Sequence, residues 1–141
     1  MQREIDPART YLRNRILNAS PMELIIILYE GAITALKKAK ECAAAKDRPR
    51  MCEQVIRAQD MVRELRNALD MTRGEIAEGL YRLYTFMVQR LIKANLEKEV
   101  KYIDEVLTML ADLKNTWLQA VANLKEKPKV EVPENYVNII K

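Results

Sequence analysis

No histidine occurs among the 141 residues, which removes most side-chain constellations for catalysis. A Ser-His-Asp or Cys-His relay needs an imidazole to take and return a proton. The Glu-x-x-His pairs of di-iron bundles and the His-Glu-x-x-His helix of zinc proteases need it as a metal ligand. Asp104 and Glu105 are adjacent carboxylates, but neighbours on a helix point about 100° apart and do not converge on one substrate. Cys42 and Cys52 flank a predicted loop and belong to no Cys-x-x-Cys motif. Free thiols in or near a core are expected there, rather than a disulfide or a metal site. Gly74 and Gly79, in GEIAEG, lack the spacing and the Lys-Ser/Thr ending of a phosphate-binding loop. The chain therefore reads as a protein that catalyses nothing and needs no cofactor or metal.

What is left is recognition. The formal charge is +4, with Lys and Arg interleaved among Asp and Glu. Arg48, Arg50, Arg57, Arg63, Arg66 and Arg73 form the densest basic run, yet Glu53, Asp60 and Glu64 lie among them. That pattern is a solvated helix face, so nucleic acid is not the expected partner. No apolar run approaches the 18 residues or so of a membrane span, and no membrane insertion is expected. MQREIDPARTYLRNR has no apolar signal-peptide core, which points to the cytoplasm.

The elements that must present a recognition surface are helices. Only three glycines occur, too few for the turns of a β fold. Ser20-Pro21-Met22-Glu23 carries a cap, a proline suited to the first helical position and a capping-box glutamate. A helix is predicted from there to about residue 45, with Leu24, Leu28, Ala32, Ala35, Leu36 and Ala39 as its stripe. A second is predicted over 49–69, behind the Lys-Asp-Arg-Pro turn, with Val55, Ala58, Val62, Leu65 and Leu69 in steps of three and four. A third spans 73–96, with Thr72 as its candidate cap; Gly79 inside it suggests a close helix approach or a kink. A fourth spans 98–126 and ends before Pro128. Short connections between helices of this length imply antiparallel neighbours. The expected architecture is all-α: an antiparallel up-down-up-down four-helix bundle over 20–127, with an N-terminal arm or cap over 1–19 and a C-terminal tail over 128–141.

Four features exceed what a core requires. Leu24-Ile25-Ile26-Ile27-Leu28-Tyr29 is apolar or aromatic without interruption. Such a run belongs to a central helix buried on several sides, or to one that leaves an apolar groove exposed. Tyr29, Tyr81, Tyr84 and Tyr102 combine apolar area with a polar tip, which suits either the rim of a core or a partner surface. Met61, Met71, Met87 and Met109 are candidates for core or groove positions. Tyr11-Leu12 and Ile16-Leu17 in the arm could form a short helix that folds back on a groove.

The run Tyr11…Ala19-Ser20-Pro21-x-Glu23-Leu24-Ile25…Leu28-Tyr29-Glu30-Gly31-Ala32 resembles the opening of the FliS family of flagellin export chaperones. Gly74-Glu75-Ile76-Ala77…Leu80-Tyr81-x-Leu83-Tyr84 is similar to the start of that family's third helix. Arg90-Leu91…Ala94-Asn95 and Leu113…Trp117 follow in the same order, so the resemblance covers about residues 10–120. Gly79 departs from the family pattern, in which a polar residue, commonly asparagine, is usual.

The resemblance implies a chaperone that binds the C-terminal helical segment of flagellin in the cytosol, keeps it from polymerising, and delivers it to the flagellar export gate. It also implies roles for single residues. Tyr11 and Leu12 match the arm that caps the client groove; Ile25, Tyr29, Ile33, Tyr81, Tyr84 and Asn95 match landmarks that border the client surface, unless they belong to the core. The alternative use of the same apolar face is self-association, as a homodimer or a larger helical scaffold.

Overall fold

The computed structural model describes residues 6–126, with side chains to residue 123. The expected tail over 128–141 lies outside the described residues. Five α-helices follow one another: α1 (Pro7–Leu17), α2 (Pro21–Ala44), α3 (Arg48–Asn67), α4 (Glu75–Glu97) and α5 (Val100–Glu126). The expected count of four is thus one short, because part of the N-terminal arm is a helix in its own right.

Local chemistry accounts for the ends. Ser20 Oγ accepts a hydrogen bond from the Glu23 N–H at 3.2 Å, as the capping box predicts. Asp47 accepts from the Arg50 N–H at 3.3 Å and starts α3, with Pro49 inside the first turn. Asp6 does the same for α1 through the Ala8 N–H at 3.0 Å, followed by Pro7. The Thr72 cap does not form. Met71–Arg73 make one 3₁₀ turn, held by Asp70 accepting from the Thr72 N–H, and Gly74 precedes α4 at φ 83°. That backbone angle favours glycine, which lacks the Cβ that would clash. At the junction without glycine or proline, Lys98 takes the left-handed conformation and ends α4.

Helices α2, α3, α4 and α5 form a closed ring in which each packs against the next and α5 returns to α2. Contacts between neighbours run in opposite numerical directions. Lys40 meets Asp104 while Glu30 meets Lys114, and Arg66 meets Thr85 while Asn95 meets the Cys52 carbonyl. Neighbouring helices are therefore antiparallel, as short loops require.

The core takes most of the predicted stripes: Ala32, Leu36 and Ala39 of α2; Val55, Ala58, Val62 and Leu65 of α3; Met87 and Leu91 of α4; Ile103 and Leu110 of α5. The predicted Leu24 is exposed and Leu28 half-buried, because the first turns of α2 turn them away from the ring centre. Each large aliphatic side chain withdrawn from water contributes about 1.5–3 kcal/mol. Gly79 is not a close approach: a Cβ there would meet nothing within 4 Å, and α4 stays helical through it. Cys42 and Cys52 are free and half-buried. No helix among the described residues is long and apolar enough to cross a membrane.

Candidate partner-binding groove

The close approach in this bundle is at Gly31 on α2. A Cβ built there would stand 2.8 Å from the Met61 sulfur of α3. The missing side chain lets Met61 lie across α2 and leaves a shallow channel on the outer face of the α2–α3 pair. This channel is a hollow of about 380 Å³, floored by Ile27, Leu28, Gly31 and Ala35 from α2 and Gln54 and Met61 from α3. Both readings of the apolar run are realised at once. Ile25, Ile26 and Tyr29 point into the core, while Ile27 and Leu28 are half-buried beside the hollow.

Helix α1 lies over this channel, with Leu12 and Ile16 contributing to its wall. No residue of α1 is buried. Tyr11, Leu12, Ile16 and Leu17 remain 70%, 44%, 42% and 71% exposed. A helix with so little apolar burial has weak hydrophobic hold on its neighbours. Its polar anchor is Arg15, whose guanidinium donates to both carboxylate oxygens of Glu30, at 2.8 and 3.4 Å. Lys114 of α5 reaches the same carboxylate at 4.0 Å. The hydrogen bond from Arg15, with a smaller contribution from the charges of Arg15 and Lys114, holds the Glu30 carboxyl below the usual carboxylate range against an opposing cost of partial burial.

Beneath the groove, the bundle centre holds a polar relay. Trp117 Nε1–H of α5 donates to the Tyr29 hydroxyl at 3.0 Å, and the Tyr29 and Tyr84 hydroxyls hydrogen-bond one another. Burial pushes the Tyr29 phenol up to about 12, opposed by its hydrogen bonds to Tyr84 and Trp117. Tyr84 is raised as well, by burial first, then by the charge Tyr29 would carry and by the bond between them. Both are neutral near pH 7, so each can donate one hydrogen bond and accept another.

These placements sort the residues the resemblance singled out. Leu12 lines the groove, and Tyr11 is exposed on the same helix. Ile33 is half-buried against the core. Ile25, Tyr29 and Tyr84 are 5%, 0% and 1% exposed, so in this conformation they are core and present no surface to a partner. Their positions on the inner faces of α2 and α4 put them there. Tyr81 and Asn95 lie on the other side of α3. The Arg66 guanidinium sits 5.4 Å from the Tyr81 ring centre, and Asn95 donates to the Cys52 carbonyl at 3.4 Å. The eight positions therefore do not form one site. Sequence reasoning missed Arg15, Gln54 and the role of Gly31. Asp6-Pro7 repeats the start signature of Ser20-Pro21 and marks where the short helix expected around Tyr11 to Leu17 begins. Nothing in the sequence pairs Arg15 with Glu30.

The profile of the family described as Flagellar protein FliS matches residues 4–124. The chain belongs to the FliS family. Among FliS relatives, the flagellar secretion chaperone of Salmonella typhimurium is 32% identical over 114 residues, covering 79% of this chain and 84% of that one. That of Campylobacter jejuni is 34% identical over 114 residues, covering 80% and 89%. That of Bacillus subtilis is 28% identical over 116 residues, covering 82% and 86%. A crystal structure of a flagellar chaperone from bacteria shares the fold, with a TM-score of 0.69 at 21% identity, over 84% of this chain and 99% of that one. The FliS assignment drawn from the 20–32 and 74–84 motifs thus holds across most of the chain.

Proposed function

We propose that this FliS-family chain is a flagellar export chaperone whose client is the C-terminal helical segment of flagellin, held in the groove between α2 and α3. The observation that carries this reading is α1 itself. A short helix already lays Leu12 and Ile16 over an apolar channel, buries none of its own residues, and is tied down by one partly exposed ion pair. A channel that accepts one helix weakly can accept another that fits better, by helix-in-groove recognition. Flagellin assembles through apolar helical stripes, so a chaperone occupying one stripe blocks polymerisation without enclosing the client. Folding of the client on binding lowers affinity per unit area and so favours release at the export gate.

The test is isothermal titration of the full chain, and of a variant lacking residues 1–17, with the C-terminal segment of flagellin from the same organism. The expected result is binding with a large negative heat-capacity change, tighter without α1. Absence of binding by both would sink the client assignment. A stable oligomer in light scattering of the client-free chain would then favour the self-associating scaffold.

A further inference from the structure

The register of α2 against α3 gives the groove two unlike ends. Gly31 and Met61 are in contact. In an antiparallel pair, Lys38, seven residues after Gly31, is level with Gln54, seven before Met61. That places the second level about 10 Å along the groove from the first. Arg57 lies one turn from Gln54 on α3 and lines the same hollow. The Gly31 end is apolar, and its one carboxylate, Glu30, is already engaged by Arg15 and Lys114. Lys38 stands at the other end and Arg57 one turn nearer to Met61, neither within 4.0 Å of a carboxylate among the described residues.

We infer that the groove selects a helical segment carrying an acidic residue seven positions from a large apolar anchor. The anchor seats on Gly31 and Met61, and the carboxylate is received by Lys38 and Arg57. Seven residues of helix match the separation of the two levels. The proposal rests on the groove being the client site, and it specifies which client segment fits.

The test uses two synthetic helical peptides with identical apolar stripes, one with Glu and one with Gln seven positions from a leucine. Each is titrated into the full chain at low and high salt, and into a Lys38→Glu/Arg57→Glu variant whose helicity is checked by circular dichroism. The Glu peptide is expected to bind about fivefold tighter at low salt. That preference should shrink at high salt and reverse in the variant. Equal affinity for the two peptides overturns the selectivity and leaves the groove reading intact. Failure of both peptides to bind overturns the groove reading, and the selectivity with it.

Discussion

The Tyr29 hydroxyl hydrogen-bonds the Tyr84 hydroxyl across the centre of the ring, joining α2 to α4, which do not pack side by side. The rings are tilted by 50° with centres 6.4 Å apart, and Trp117 adds a third helix through its indole N–H. A buried polar relay in an apolar core favours one packing of the four helices, since any rotation of α2, α4 or α5 breaks a buried hydrogen bond.

Removing one member should therefore cost more than a methyl-sized change. Tyr29→Phe deprives both Trp117 and Tyr84 of a partner, and about 1–3 kcal/mol of stability should be lost in urea unfolding. Tyr84→Phe should cost less, and the double variant less than the sum of the singles, as a double-mutant cycle would show. Tyr29→Glu should abolish helicity rather than only client binding, because it buries an unpaired carboxylate.

The same relay sets an alkaline limit. Both phenols are raised by burial, and the ordinary tyrosine value is 10.0. Below pH 10 the folded and unfolded chains hold these protons alike. Above it the unfolded chain releases them while the folded chain keeps that of Tyr29 up to about 12. Stability should fall between these limits by about 1.4 kcal/mol per pH unit for each raised tyrosine. Unfolding followed from pH 9 to 12 should show the fall, and the double phenylalanine variant should flatten it.

Release of α1 should be ionic. Arg15→Glu places like charges together at Glu30, and amide hydrogen exchange over residues 7–17 should quicken while the bundle core stays protected. Client affinity should rise by about two- to fivefold, the scale of one partly exposed pair. The folded Glu30 carboxyl lies below its ordinary value, so its contribution is present above that value and lost as pH falls through the folded one. Acid and high salt should loosen α1 before the bundle.

Two glycines should part company. Gly79→Ala meets open space in an unbroken helix, and should raise stability by roughly 0.5–1 kcal/mol. Gly31→Leu pushes Met61 aside and fills the channel, so it should weaken client binding severalfold while thermal unfolding stays cooperative. Equal effects of the two substitutions on binding would remove the reason for placing the client at Gly31.

The residues alone determined the class of the molecule. Missing histidine, few glycines and stripes in steps of three and four are properties of composition and period, and they exclude catalysis by the common relays and call for antiparallel helices. Ser20-Pro21 and Asp47-Pro49 marked helix starts because caps are local: donor and acceptor lie within three residues. The family motifs were legible for the same reason. What the tertiary structure decided was which face of each helix looks inward. Tyr29 and Tyr84 read as surface candidates because tyrosine suits either place, and only closure of the four-helix ring around them buries them. Arg15 found Glu30, and Gly31 found Met61, through contacts between helices. No periodicity within one helix encodes the rotation and register of its neighbour, and the groove exists only where those two are set.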